Sequence, residues 1–333
     1  MNVVMLIPTG IGCEIGGHAG DGCPAAKLLG ECCDKLILHP NVVNASDINE
    51  MPPNALYVEG SILDRFLEGT IELQEVRQNK ILLVVNSPVR NETINAVSAA
   101  RATMGANIEI VELRTELRMK ATMDGPKASG IVRGWQELCE QIQQYDFDAI
   151  AIATQIDCDI DQSLAYYRSG GVNPWGKVEA LASRLIAEQI GKPTAHAPVE
   201  ADDPELKIFN EVVDSRISAE AVSFAYLHCV LKGLHKAPRI VDHGLSVRDV
   251  DVMITPIGCV GPPHHACLKA GIPIIAVKEN TCVLNDPMPD EFILVDNYLE
   301  AAGILMAMRA GISRQSVRRP LAPTKIERIH NVG

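Results

Sequence analysis

The sequence predicts an α/β protein of mostly parallel sheets with helices on both faces, folded as two lobes around a cleft. Three observations carry this. Short apolar runs alternate with amphipathic segments along the chain. Several of those runs are apolar throughout, as strands covered on both faces must be. Two stretches, residues 80–112 and 251–280, each run strand, helix, strand. The second has Pro262 and Pro263 at the helix start, where a missing N–H costs little.

Strands are expected over residues 3–7, 35–38, 56–58, 81–85, 108–111, 149–153, 193–197, 252–255, 272–277 and 292–295. Helices are expected over residues 24–33, 92–104, 131–144, 177–190, 219–234, 263–270 and 298–310. In the helix at 219–234, Phe224, Leu227 and Leu231 recur at helical spacing and point to a core face. Two polar stretches, residues 114–130 and 157–175, read as irregular. The expected division is a Rossmann-like N-terminal lobe over 1–125, a second over 126–310 and a basic tail over 311–333. The tail's Arg314, Arg318, Arg319, Lys325 and Arg328 suit a solvated segment or a homo-oligomer contact.

Composition narrows the function. A formal charge of −12 argues against non-specific nucleic-acid binding, which needs Lys and Arg on phosphates. No apolar run reaches the roughly 18 residues of a membrane span. The chain enters a strand-like run without a basic region and cleavage site, so no secretory leader is read. Ten cysteines without CxxC spacing, two of them adjacent at Cys32 and Cys33, suit reduced thiols rather than a disulfide framework or structural zinc. The expectation is a cytoplasmic protein with no nucleic-acid or membrane partner.

The most informative segment is residues 8–21, PTGIGCEIGGHAGD. Gly10, Gly12, Gly16, Gly17 and Gly20 allow positive φ and close approach of backbone N–H groups to a ligand. Cys13, Glu14, His18 and Asp21 stand between them. Ile15 occupies the third glycine position of a dinucleotide fingerprint, and no Gly-Lys-Ser/Thr follows, so the pattern is a generic anion cradle or a tight turn.

Four further segments hold chemistry-bearing residues. Residues 257–265, IGCVGPPHH, put Cys259 at a strand end before a helix, where a thiolate is favoured, with His264 or His265 as acid or base. A buried thiol beside two surface histidines is the plainer reading. Residues 39–50 place His39, Asn44 and Asp47 after a strand, to bind substrate or cap a turn. Residues 157–161, DCDID, offer carboxylates for Mg²⁺ or Mn²⁺ or form a solvated acidic loop, and no metal is assigned. Trp175, in NPWGKVE, either stacks on a ring or staples a helix start.

The strings PTGIGCEIGGHAGD, HPNVVNASDINE, NPWGKVEA and GCVGPPHHACLKAGIPIIAVKEN together resemble a family of cyanobacteria and plastid-bearing organisms labelled a domain of unknown function. The resemblance spans nearly the whole chain. It implies a cytoplasmic or stromal protein of bacterial type and assigns no activity. Residues 258–285 also resemble the nucleotide-sugar segment of two-lobed glycosyltransferases and UDP-sugar 2-epimerases, with VKENT at 277–281 in place of their polar loop. That likeness puts Glu279 and Asn280 at a ligand, although Pro-Pro-His-His replaces an expected Glu. The Cys-bearing strand ends look like aspartate/glutamate racemases, with Cys13 and Cys259 as the facing pair, but the usual Thr-His after the second cysteine is absent.

The sequence therefore predicts an enzyme acting on a small anionic metabolite bearing phosphate or carboxylate. The backbone of residues 10–17 and the helix start at 261–264 hold the anion. Cys13, His18, Cys259 and His264 transfer protons or attack, and Glu14 and Asp21 orient the histidine or hold a metal. Gly10, Gly12, Gly16, Gly17, Asp21, Asn44, Asp47, Gly261, Glu279 and Asn280 contact the ligand. No cofactor is identified. A metabolite-binding regulatory protein is the alternative of a different class.

Overall fold

The computed structural model describes residues 1–17, 21–43, 51–199 and 226–327. Its first sheet has six parallel strands: β1 (Asn2–Met5), β2 (Lys35–Leu38), β3 (Ala55–Tyr57), β12 (Val252–Pro256), β13 (Ile274–Val277) and β14 (Ile293–Val295). They lie in the order β14-β13-β12-β1-β2-β3. Both ends of the chain thus build one sheet, joined where Val3 pairs with Val252 and Met5 with Ile254. Strand order reverses between β1 and β12. In open α/β sheets such a switch point leaves a crevice beyond the carboxyl ends of the strands.

Alternation along β1 explains the two faces. Val3, Met5 and Ile7 pack into one core with residues of helices α1 (Cys23–Gly30) and α9 (Tyr298–Arg309). Val4 and Leu6 pack into the other with α2 (Gly60–Leu67) and α8 (Pro262–Ala270). Successive strand side chains point to opposite faces, so a sheet covered on both sides must be apolar at every position.

The middle of the chain builds a second sheet. Strands β5 (Lys80–Asn86), β6 (Asn107–Leu113), β9 (Ala149–Asp157) and β10 (Thr194–Val199) run parallel in the order β6-β5-β9-β10. The hairpin β7 (Arg118–Asp124) and β8 (Lys127–Arg133) attaches to the end of β9. Helices α3 (Asn91–Met104) and α7 (Tyr226–His235) cover one face, and α4 (Trp135–Ile142) and α6 (Gly176–Ile190) the other. Helix α5 (Ile160–Ser169) follows β9. A small antiparallel pair joins β4 (Glu72–Gln74) to β11 (Arg239–Val241).

The α/β class with mostly parallel sheets is what the sequence predicts, and each of the ten expected strands is present. The sheets do not follow the expected boundary at 125/126 as a linear division. It falls in the turn of the β7–β8 hairpin, and the first sheet draws strands from both chain ends. A linear reading could not see the β1–β12 pairing, whose partners lie about 250 residues apart. The stretch at 114–130, expected to be irregular, is largely that hairpin, and residues 131–133 belong to β8 rather than to a helix. The stretch at 157–175 contains α5, capped by Asp159, whose carboxylate accepts from the Gln162 N–H at 3.0 Å. Residues 219–225 of the expected helix lie outside the described residues.

Candidate active site between the two sheets

The glycine-rich segment leaves β1 and docks onto its own sheet. The Glu14 N–H donates to the Thr281 carbonyl at 2.9 Å, and the Val283 N–H donates to the Gly12 carbonyl at 3.1 Å. The Ile15 N–H donates to Asn280 Oδ1 at 2.9 Å, while Asn280 Nδ2 donates to the Ile15 carbonyl at 2.8 Å. The Gly16 N–H goes to Asp21 at 2.8 Å, and the Gly17 N–H to the Asn41 carbonyl at 3.1 Å. The N–H groups of residues 14–17 are therefore committed to protein acceptors. The positive φ of Gly16 and Gly17 serves this docking. Asn280, fully buried, also donates to the Tyr298 hydroxyl at 2.7 Å, so it ties the loop down. Glu279 accepts from the Tyr298 N–H at 3.0 Å.

The helix start at 261–264 is also closed to an anion. Pro262 and Pro263 have no N–H, the Gly261 N–H donates to His264 Nδ1 at 3.1 Å, and the N–H groups of His264 and His265 return to the Gly261 carbonyl. The expected backbone cradle there lacks donors. His264 is buried, which lowers its pKa to about 4. With Nδ1 accepting, Nε2 carries the proton and faces Thr255 Oγ1 at 2.9 Å.

The structure does bring residues 8–13 and 257–265 together, and Cys13 and Cys259 with them. Both thiols are buried, and both are pushed well above the ordinary cysteine range. For Cys13 the main cause is burial; for Cys259 it is a hydrogen bond to Cys282, then burial. They sit in segments that follow β1 and β12 of the same sheet, with Cys282 beside both, rather than facing each other from opposite lobes. His18, Asn44 and Asp47 lie outside the described residues.

The acid–base groups that surround open space belong to a different set. Two adjoining cavities, of about 100 and 290 Å³, lie between the sheets and share Thr9, His39, Glu59, Gly60 and Ala180 as walls. Pro8, Thr9, Cys259 and Gly261 line the larger one, which puts it at the switch point between β1 and β12. From the second sheet's side, α6 places Glu179 in the smaller cavity and Lys177 and Arg184 in the larger, and β10 adds His196 to the smaller. Gly10 also lines the smaller cavity, because its carbonyl accepts from Ala128 of β8 at 3.2 Å.

Glu179 meets His196 of β10, with Oε1 3.0 Å from Nδ1. Burial raises the Glu179 pKa, and the bond to His196 opposes this. His196 Nε2 lies 3.1 Å from both the carbonyl and the hydroxyl of Thr154. A carbonyl only accepts, so Nε2 carries a proton. Nδ1 then either takes the proton of a Glu179 carboxylic acid or returns one to its carboxylate. The His196 side chain is fully enclosed and Glu179 is one-fifth exposed, so the carboxyl group is the one presented to the cavity.

Glu59 caps α2 and accepts from the N–H groups of Ser61 and Ile62. Burial pushes its carboxyl up to about 7, against those hydrogen bonds. Tyr57 lies in the same wall, its phenol pushed above the ordinary range by burial and then by Glu59 and Glu179. His39 is buried, its pKa lowered to about 3, and Nδ1 accepts from the Asn41 N–H at 3.2 Å. Trp175 lines the cavity too and packs edge-on against Tyr166, with ring centroids 5.3 Å apart. Asp157 pairs with Lys120 at 3.6 Å, and among the described residues no cluster of three or more His, Cys, Asp or Glu could hold a metal ion.

Sequence reasoning missed Glu59, Glu179 and His196, which stand at single positions without a motif. The one available signal was Glu179, a carboxylate in the first turn of an otherwise apolar-faced helix.

Fold and site define a class: a doubly wound α/β protein with a second, mixed sheet and, between the two, cavities lined by Glu59, Glu179 and Tyr57. The chain belongs to the family described as "Protein of unknown function (DUF3326)", whose model matches residues 2–318. It is 34% identical to an uncharacterized lipoprotein of Synechococcus sp. (strain ATCC 27144 / PCC 6301 / SAUG 1402/1), with 93% of this chain and 91% of that protein aligned. No solved structure matches the chain. The relative's name overturns the cytoplasmic expectation. Acyl chains anchor a protein without any apolar helix, so a missing apolar run was no guide to location. Among the described residues no helix is long and apolar enough to cross a membrane.

Proposed function

We propose that the protein is an enzyme that performs general acid–base chemistry on a small anionic metabolite held between its two sheets. The observation that carries this is the enclosure of two carboxyl groups raised by burial, Glu59 and Glu179, in one wall system with Tyr57. Burying ionisable groups without full compensation is costly, and such groups concentrate where protons are moved. Glu179 is the proton-transferring group and His196 its positioning residue. Glu59, with a pKa near neutrality, is the second acid or base. Lys177 and Arg184 supply the positive charge for the anion at the larger chamber.

A racemase using Cys13 and Cys259 is disfavoured, because both thiols are buried, held protonated and carried by segments that follow strands of the same sheet. A sugar-nucleotide enzyme is disfavoured at the residues that suggested it, since Asn280 is spent on Ile15 and Tyr298.

A thermal-shift screen with small phosphates and carboxylates tests the anion site. A ligand near 100 times its Kd adds about 2.7 kcal/mol of stability. The expected result is a shift with at least one such anion that is lost in Lys177→Gln/Arg184→Gln and kept in Glu179→Gln. No shift with any anion, or a shift unchanged by the double variant, overturns the assignment.

A further inference from the structure

Three sulfur atoms gather beyond the carboxyl ends of the first sheet's central strands, where Cys259 also lines the larger cavity. Cys13 and Cys282 form an isolated antiparallel bridge. Its two hydrogen bonds, Glu14 N–H to Thr281 and Val283 N–H to Gly12, flank the pair rather than joining it. This is the non-hydrogen-bonded cross-strand arrangement, in which Cα atoms sit about 4.5 Å apart and side chains approach most closely. That separation lies within the range of roughly 4.4–6.8 Å that a disulfide spans. Cys259 is the third member, buried beneath and hydrogen-bonded to Cys282.

We infer that Cys282 is a peroxide-reactive thiol that forms a disulfide with Cys13. Cys282 is the partly exposed member of the trio, whereas Cys13 and Cys259 are buried. As a thiol it donates to the Gly258 carbonyl at 2.7 Å. As a thiolate it is faced by donors, first the Cys259 S–H and then the N–H groups of Asn285 and Leu284, which lower its pKa although burial opposes them. Of the three sulfurs, Cys282 is the one that solvent reaches.

The chemistry balances in two steps. The Cys282 thiolate attacks the outer oxygen of a hydroperoxide, forming an S–O bond and breaking the O–O bond. The alkoxide or hydroxide that leaves takes up a proton from water, and Cys282 becomes a sulfenic acid. Cys13 then passes its proton to the sulfenic oxygen as its sulfur attacks Cys282 and forms the S–S bond. The sulfenic oxygen departs as water, carrying its own hydrogen and the proton of Cys13. One hydroperoxide is reduced and two thiols are oxidised. The bond staples the glycine-rich segment to residues 281–283, the contact its backbone already makes.

The full-length reduced protein is treated with one equivalent of hydrogen peroxide, alkylated, digested and mapped by mass spectrometry. The expected result is a Cys13–Cys282 linked peptide, with the other eight cysteines alkylated. Cys13→Ser leaves a sulfenic acid at Cys282 that a cyclic diketone traps, and Cys282→Ser abolishes both products. The wild-type map needs no variant to fold. Oxidation that starts at another cysteine, or a Cys259–Cys282 linkage in place of Cys13–Cys282, overturns the inference.

Discussion

Replacing Glu59 with glutamine isolates the electrostatic cost of the acid–base cavity. In the folded protein the Glu59 carboxyl is raised from the ordinary 4.5 to about 7, chiefly by burial. Between those values the folded state keeps a proton that the unfolded chain releases. Stability is therefore fully present below about 4.5 and falls as pH rises to about 7. At roughly 1.4 kcal/mol per pH unit the loss amounts to about 3 kcal/mol. His39 and His264, with pKa values lowered to about 3 and 4, act in the opposite sense. They lose stability as pH falls below the ordinary histidine value of 6.5, so the wild-type profile alone conceals the effect. The difference between Glu59→Gln and wild type cancels them. Glutamine keeps an acceptor for the N–H groups of Ser61 and Ile62 and carries no charge. Urea unfolding of both proteins from pH 4.5 to 7.5 measures it. The variant's advantage should grow by about 3 kcal/mol across that range. A difference that stays flat or shrinks with rising pH refutes the reasoning.

Two substitutions test the docked glycine-rich segment. Asn280→Ala leaves the N–H and carbonyl of Ile15 without their partner, and unfolding should show a loss of about 2–4 kcal/mol from the two unmade bonds. Gly22→Ala would put a Cβ 2.6 Å from the Val42 carbonyl oxygen, a backbone atom that cannot swing aside. A destabilisation of about 2 kcal/mol or more by the same method is expected.

Strands buried on both faces announced themselves in the sequence, because burial there demands apolar residues without interruption. That is why β2, KLIL, is found where it was expected to within a residue. The β7–β8 hairpin is partly legible in the sequence. Its alternation of buried and exposed positions around Asp124-Gly125 is a period-two signal that its polarity masked. Helix α2 was hidden because Glu59, its cap, is not among the residues that usually begin helices. The cavity was not legible. Glu59, Glu179 and His196 come to line one cavity only because α2 and β10, far apart in the chain, both pack against α6. The glycine-rich segment misled for a physical reason: glycines that free N–H groups for a ligand also free them to dock on protein.

Turnover is the most direct test of the central claim. Wild type, Glu179→Gln and His196→Asn are incubated with a mixture of small phosphates and carboxylates, and each compound is followed by mass spectrometry. The account predicts that wild type converts one of them and that Glu179→Gln slows this by roughly 10²–10⁴-fold. His196→Asn should slow it less and displace the pH profile, as a positioning residue would. Conversion that survives intact in Glu179→Gln contradicts the account, as does the absence of any conversion by wild type.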